Sequence, residues 1–271
     1  MIRCLVLAIA TVLIAPFGVG SAIAASLTVD SVVLAAQRVL VECDSQIYEI
    51  TFLTTVHERE LRDDGSIKNE KTFRVRHFIR DREPREVLEA MWINGEPVEA
   101  DRLTEEQAKR EKEHRHRRSK TRDGQIVDGE EVSRSLSMLL PFLPQHRANY
   151  EFPSMVADTI RGMNCWRITV NPLSDDDRLV KGTLWVEQET YRAVLEEYDI
   201  ANPPGPPKAS KLILEHEPLL AGCAVPRYIR IRGKGKAFLI IAFNFEVEMF
   251  LDSVQVNPGL PDSLFASPSD R

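Results

Sequence analysis

The sequence predicts a mainly β protein, built on one large, curved antiparallel sheet with a few helices. Segments in which apolar and polar residues alternate recur along the chain, and turn signals rich in glycine, proline and aspartate separate them. The longest of these segments, 237–250, alternates from Phe243 onward. The 271 residues hold 35 Lys and Arg against 41 Asp and Glu, a formal net charge of −6, so no nucleic-acid partner is predicted.

The N-terminus predicts export. Arg3 precedes a nearly apolar stretch over 5–18, and Ala22-Ile23-Ala24 forms a small-x-small cleavage site. We expect a signal peptide over 1–24, cleaved near Ala24, and a mature protein in the periplasm or secreted. An uncleaved anchor is the alternative interpretation. No later run reaches the ~18 apolar residues of a membrane span, so an integral membrane protein is not predicted.

The mature chain is expected to be a single domain. It would comprise an N-terminal part over 25–130, a second part over 131–266 and a disordered tail over 267–271. Three cysteines remain after cleavage: Cys43, Cys165 and Cys223. An odd number in an oxidising compartment allows one disulfide and one free thiol, and buried cysteines within strands are the alternative.

The first elements are a helix and a hairpin. Spaced apolar residues over 27–41 predict an amphipathic helix. Residues 48–56 and 71–80 alternate on either side of the turn signal Asp63-Asp64-Gly65, which predicts one long antiparallel hairpin.

A short hairpin and a charged helix follow. Asn94-Gly95 predicts a hairpin over 92–98. Thr104 begins a capping-box pattern, which predicts a helix with Thr104 as N-cap, running to about Lys120. This helix shows no apolar face, so we expect it to project from the sheet or to be partly ordered. Its end carries a basic patch that could bind an anionic partner, and a merely solvated helix is the alternative; the patch consists of Arg115, Arg117, Arg118, Lys120 and Arg122.

The second half of the chain is predicted to consist mainly of strands. An apolar segment over 133–144 is expected to pack on the sheet as a short helix or loop. Gly233-Lys234-Gly235 predicts a turn before the long strand 237–250. The other strand predictions are 149–156, 163–170, 184–186, 193–198, 211–216 and 228–231.

Three stretches of this half resemble the LolA/LolB-like family of periplasmic lipoprotein-sorting proteins. They read GMNCWRITVNP, LWVEQETYRAVLEEYD and VPRYIRIRGKGKAFLIIAFNFEVEMFLDSVQVNPGLPDSLF. The shared pattern is a strand with Trp before an acidic turn, a strand ending in Glu and an aromatic residue, and a late Asn-Pro. The resemblance implies an incomplete antiparallel β-barrel whose concave apolar face is plugged by helices and holds acyl chains or another hydrophobic ligand.

The predicted ligand-binding site is this apolar interior. One side of the strand 237–250 is expected to face it, together with two aromatic residues of neighbouring strands. The candidate residues are Trp185, Tyr198, Leu239, Ile241, Phe243, Phe245, Val247 and Met249.

Enzyme motifs are not found in the sequence. There is no G-x-S-x-G, and Gly233-Lys234-Gly235 has Phe238 where a dinucleotide fingerprint needs a third glycine. His114 and His116 point to different faces of a helix, and His57 and His77 are expected to face each other across the first hairpin as a surface pair. We therefore predict no catalytic residue, no metal and no cofactor.

The predicted function is a non-enzymatic carrier or binder of a hydrophobic ligand in the cell envelope, with a lipid or the acyl chain of a lipoprotein as partner. Two alternatives stay open. One is a protein-interaction or envelope-sensor module that uses the same half-barrel and another envelope protein as partner. The other is a secreted hydrolase of unrecognised type.

Overall fold

The computed structural model describes residues 27–81, 83–122, 140–176, 178–200, 207–219, 223–237 and 241–265. The predicted signal peptide and the predicted tail lie outside the described residues. So do the proline-rich residues 201–206 and residues 133–139 of the predicted apolar segment.

Twelve strands and two α-helices make up the described chain, with 3-10 turns at Pro144–Asn149 and Asp262–Leu264. In chain order the helices and strands are α1 Val29–Gln46, β1 Glu49–Leu61, β2 Ile67–Arg80, β3 Glu83–Ile93, β4 Glu96–Pro97, α2 Ala100–Arg122, β5 Tyr150–Glu151, β6 Met155–Ile160, β7 Met163–Pro172, β8 Val180–Glu187, β9 Ala193–Ile200, β10 Pro207–Pro218, β11 Ala224–Ala237 and β12 Ile241–Val256.

The strands form one curved, antiparallel sheet that does not close. Their order is β4-β3-β2-β1-β12-β11-β10-β9-β8-β7-β5, and β6 also pairs with β7. The first and the last long strands, β1 and β12, are neighbours in the middle of the sheet. The predicted fold class, a mainly β open half-barrel with a few helices, is confirmed.

The first hairpin forms as the sequence predicts. Strands β1 and β2 pair in antiparallel register, with Val56 opposite Phe73, and the chain turns through 62–66. Asn94 and Gly95 adopt positive φ angles of 51° and 85° between β3 and β4, as the predicted Asn-Gly hairpin requires.

Helix α1 is held at its start by a reciprocal cap. The Thr28 hydroxyl accepts a hydrogen bond from the Ser31 backbone N–H, and the Ser31 hydroxyl accepts one from the Thr28 N–H. This cap satisfies two backbone donors that the first helical turn would otherwise leave unpaired. The helix buries Val32, Val33 and Ala36 completely against the sheet.

Two hydrophobic clusters form on the same face of the sheet, which we call the inner face. The α1 cluster joins α1 and residues 142–152 to β7–β11. The hairpin cluster consists of buried Phe73, Val75, Leu88 and Met91. The strand register shows that the two clusters share this face, because one row of paired residues runs from the hairpin cluster to the α1 cluster. From β2 through β1, β12 and β11 to β10, this row consists of Phe73, Val56, Met249, Ile229 and Leu214.

Helix α2 differs from its prediction in two ways. It begins at Ala100, and Thr104 lies inside it, where its hydroxyl donates to the Ala100 carbonyl at 3.0 Å instead of capping the helix. Because the helix begins four residues earlier than predicted, it also includes Leu103, which packs against the hairpin cluster. The Arg110 guanidinium also lies 4.3 Å from the centre of the Phe73 ring.

Gln107 fixes α2 to the free edge of β3. Its side-chain amide donates to the Glu86 carbonyl at 3.0 Å, and its carbonyl accepts from the Leu88 backbone N–H at 2.8 Å. The side chain thus takes the place that a further strand would occupy, which protects an edge that could otherwise pair with another chain.

The predicted turn at 233–235 is wrong. Strand β11 runs through these residues and continues to Ala237, which pairs with Ile241 at the start of β12. The long strand therefore begins at Ile241 rather than at Ala237, and it extends to Val256.

One disulfide joins two distant parts of the described chain. Cys43 at the end of α1 is bonded to Cys223, immediately before β11, with the two Cα atoms 5.5 Å apart. Cys165 is a free, buried cysteine within β7. The structure thus holds both arrangements that the sequence left open, a bridge and a buried strand cysteine.

Candidate functional site

The candidate site is an apolar strip on the inner face, between the two clusters. We define the inner strip as five side chains that are each partly exposed: Val56, Ile229, Phe245, Val247 and Met249. Val56 packs against the hairpin cluster, and the other four pack against the α1 cluster. The strip therefore joins two covered regions across β1, β12 and β11.

Gly233 shapes one end of the inner strip. It lies opposite Phe245 on the neighbouring strand. A Cβ at position 233 would come within 2.4 Å of the Phe245 ring, so the ring occupies the space that a side chain would take. Glycine is needed here because an aromatic ring lies directly on the backbone, and this contact explains a glycine inside a long strand.

The structure brings together half of the residues predicted for the apolar interior. Tyr198, Phe245, Val247 and Met249 all belong to the α1 cluster or pack against it. Ile241 and Phe243 lie in β12, opposite Ala237 and Gly235. Leu239 lies outside the described residues. A ligand at these positions stays a prediction.

Trp185 does not share this interior. Its neighbours Leu184 and Val186 are fully buried in the α1 cluster, so the alternation of β8 turns Trp185 to the opposite face, which we call the outer face. There its indole N–H donates to Asp158 Oδ2 at 3.0 Å. This hydrogen bond lowers the pKa of Asp158.

A buried polar group lies within the α1 cluster. Glu196 is 3% exposed, accepts a hydrogen bond from the Tyr198 hydroxyl at 2.9 Å and lies 2.7 Å from Nε2 of His216. Burial and the nearby Glu196 carboxylate raise the pKa of Tyr198 well above its ordinary value. A buried carboxylate needs such partners, because an unpaired one would be expensive to desolvate.

Sequence reasoning missed this group. Glu196 and Tyr198 alternate along β9, and His216 follows Leu212 and Leu214 in the alternation of β10. These patterns place each residue on a face of its own strand. Only the pairing of β9 with β10 brings the carboxylate and the imidazole together.

A network of ion pairs covers the middle of the outer face. Arg59 donates to Glu70 at 2.7 Å and to Glu246 at 3.1 Å, and it also pairs with Glu248. The Tyr228 hydroxyl donates to the same Glu248 carboxylate. Four strands, β1, β2, β11 and β12, are tied together by these side chains.

The network changes the acidity of its members. Burial and the hydrogen bond to Glu248 raise the pKa of Tyr228 to about 12. For Glu248, burial by itself would raise the pKa, but hydrogen bonds from Tyr228 and Arg59 outweigh it and leave the pKa below its ordinary value. For Arg59, burial by itself would lower the pKa. Hydrogen bonds to the three glutamates outweigh this effect, and the pKa of Arg59 is raised.

The histidines of the first hairpin do not face each other. His57 lies opposite Thr72, and its Nδ1 is 3.0 Å from the Thr72 hydroxyl, whereas His77 lies opposite Phe52 and stacks on its ring at 4.6 Å. Within the described ranges, no group of three or more His, Cys, Asp or Glu side chains could hold a metal ion.

The basic patch lies at the C-terminal end of α2, where the helical backbone continues to Arg122. An anionic partner for Arg115, Arg117, Arg118, Lys120 and Arg122 stays a prediction. In the part of the chain that the structure covers, no helix has both the length and the apolar composition of a membrane crossing.

Comparisons with known proteins found similar solved structures. No family model matches the chain, and no curated protein matches it. A DUF1329 family protein from Desulfovibrio piger is a solved structure with 11% identity and a TM-score of 0.41, covering 88% of this chain and 98% of that one. A putative outer membrane lipoprotein-sorting protein domain from Vibrio parahaemolyticus has 9% identity and a TM-score of 0.40, covering 86% and 97%.

A LolA superfamily protein from Nitrosomonas europaea has 11% identity and a TM-score of 0.35, covering 86% of this chain and 98% of its own. These solved structures include a lipoprotein-sorting domain and a LolA superfamily protein, the kind of protein that the three sequence stretches resemble. At these identities and TM-scores, the likeness carries no argument about the fold, activity, substrate or partner of this chain.

Proposed function

We propose that this protein binds a single hydrophobic chain, the acyl chain of a lipid or lipoprotein, on the inner strip. The observation that carries the proposal is the partial exposure of Val56, Ile229, Phe245, Val247 and Met249 between two clusters that are covered by helices. Such a continuous apolar surface gains free energy when a ligand removes it from water.

The size of the inner strip favours an acyl chain over a globular partner. At ~3.3 Å per residue, the strip runs ~13 Å along β12, and two strand spacings of ~4.8 Å give it a width of ~10 Å. This is an area of at most ~130 Å², since Glu58 and Glu60 of β1 lie opposite Val247 and Phe245, whereas a specific protein interface buries ~800 Å² on each partner. Covering the strip would contribute about 3 kcal/mol from the protein side.

The chemistry of the inner strip favours binding over catalysis. Its side chains are hydrocarbons and one thioether, which provide no acid, base or nucleophile. We therefore place the protein among binders or carriers rather than enzymes.

The Cys43–Cys223 disulfide supports a location outside the cytoplasm. Disulfides persist in oxidising compartments such as the periplasm and are rare in the cytosol. Together with the predicted signal peptide over 1–24, this supports the periplasm or the extracellular space as the place where the ligand is met.

A substitution in the inner strip tests the proposal. We expect Val247→Glu to weaken the binding of a fluorescent fatty acid at least tenfold, because a carboxylate buried beneath an acyl chain is strongly unfavourable. The matched control is Val87→Glu, a change of the same size and charge at a residue of β3 that is 46% exposed. This control should bind the probe like the wild type.

Thermal unfolding of the same variants separates binding from stability. The proposal predicts that probe binding falls in Val247→Glu while the melting temperature stays within a few degrees of the control. A wild-type protein that binds no acyl probe and carries no co-purified lipid, together with a large loss of stability in Val247→Glu, would contradict it. The strip would then be a part of the core or be covered by another envelope protein.

A further inference from the structure

A second concave surface lies where β10 ends and β11 begins. It is a cleft of about 700 Å³ between the β6–β7 turn and the β10–β11 hairpin. Its volume falls in the range of ~300–1,000 Å³ that is typical of small-molecule sites. None of its lining residues belongs to the inner strip, so it is a separate surface.

Two aromatic rings form the apolar wall of the cleft. Tyr228 and Phe250 lie on neighbouring strands with their ring centres 5.0 Å apart. The Tyr228 hydroxyl is fixed by Glu248, and Glu248 is in turn fixed by Arg59. These contacts hold Tyr228 in place, while Phe250 is 38% exposed, unusually open for a large aromatic side chain.

Both signs of charge border this wall. Arg161 pairs with Glu215, and Arg227 pairs with Glu217; each arginine side chain is 56% exposed. Exposed ion pairs of this kind contribute only ~0–1 kcal/mol, so a ligand that brings its own charges can replace either partner at little cost. A cleft whose arginine and glutamate side chains can exchange their partners suits a ligand that carries both a positive and a negative charge.

His216 lines the cleft from within the sheet. Its side chain is only 10% exposed and is held by Glu196, which Tyr198 holds from the other side. The position of the imidazole is therefore set by the core. Because His216 lies between Glu215 and Glu217 in the sequence, it anchors the end of β10 that carries these two glutamates.

We propose that this cleft binds a small zwitterionic amphiphile. The ammonium group of the ligand is held by Glu215 and Glu217, its anionic group by Arg161 and Arg227, and its apolar part lies on Phe250 and Tyr228. Two sources share this chemistry: a phospholipid with a phosphoethanolamine headgroup, and a short peptide with free ends and an apolar side chain.

Calorimetric titration of the full protein with three probes tests the proposal. Dihexanoyl phosphatidylethanolamine, below its micelle-forming concentration, and glycyl-phenylalanine carry both charges. Dihexanoyl phosphatidylglycerol carries only the anion. We expect at least one zwitterionic probe to bind roughly tenfold more tightly than the anionic probe, and the tighter of the two identifies the source.

Variants assign the binding to the cleft. Phe250→Ala should weaken the zwitterionic probe roughly tenfold through lost apolar contact, and Arg227→Gln and Glu217→Gln should each weaken it as well. The matched control is Arg178→Gln, which removes an exposed ion pair with Asp176 elsewhere on the surface. Val247→Glu, which alters the inner strip, should leave this binding unchanged, so failure of the proposed function and failure of this inference are distinguishable.

Two results would overturn the inference. If the anionic probe binds as tightly as the zwitterionic ones, the cleft does not recognise the ammonium group, and tighter anion binding in Glu217→Gln would identify it as a simple anion site. If none of the three probes binds the wild-type protein at ~1 mM, the cleft does not recognise this chemistry.

Discussion

Removal of the Cys43–Cys223 disulfide should destabilise the protein severely. The bond joins residues 180 positions apart. In the chain-entropy description, closing a loop of this length removes ~18 cal/mol/K from the unfolded chain, which is about 5 kcal/mol at 25 °C. Natural domains are stable by only ~5–15 kcal/mol, so the bond accounts for a large share of the stability.

Denaturant unfolding measures this contribution. The double variant Cys43→Ala/Cys223→Ala and the wild type in reducing buffer should lose the same free energy of unfolding. Cys165→Ala is the control, since it keeps the bridge and removes only the free buried thiol. A loss below ~1 kcal/mol in the double variant would refute the reasoning, because the unfolded chain would then gain little freedom when the bond is absent.

Three further predictions concern the sheet. Gly233→Ala should lower the free energy of unfolding by about 1–3 kcal/mol, because the new Cβ meets the Phe245 ring; thermal unfolding measures this loss. Gln107→Ala removes two hydrogen bonds at the β3 edge and should destabilise by about 1–3 kcal/mol, with faster hydrogen exchange at the Leu88 amide. Glu248 has a lowered pKa, so its stabilisation is present above the ordinary value of 4.5 and is lost as the pH falls through the lowered value. The melting temperature of Glu248→Gln should therefore depend less on pH than that of the wild type in acid.

Local patterns predicted the elements whose signals are local. The first hairpin shows alternation on both strands and an Asp-Gly turn between them, and the second has Asn94-Gly95 with positive φ angles. Strand β3 was largely missed, since Glu83–Ile93 mixes charges and apolar residues without a clear period. It is a strand because β2 pairs with it along its length.

Other features depend on contacts between distant parts of the chain, which no local pattern specifies. The sequence predicts Gly233 in a turn, whereas the structure places it inside strand β11, covered by the Phe245 ring. The spacing of the cysteines allows several pairings, and only the folded chain shows Cys43 next to Cys223. The strand pattern and the LolA-like resemblance predict Trp185 in the interior, whereas the alternation of β8 turns it outward.

Under the proposed export, the adjacency of β1 and β12 has consequences for how the chain folds. A chain delivered from its N-terminus places Glu49–Leu61 outside the membrane long before Ile241–Val256 follows. Until then β1 has one unpaired edge, the inner strip lacks three of its five side chains, and the sheet exists as two separate parts. We expect folding to finish only once delivery is complete, at a rate set by this one distant pairing. An exported chain that stops short of β12 would present two open strand edges, which is the form most exposed to aggregation and proteolysis.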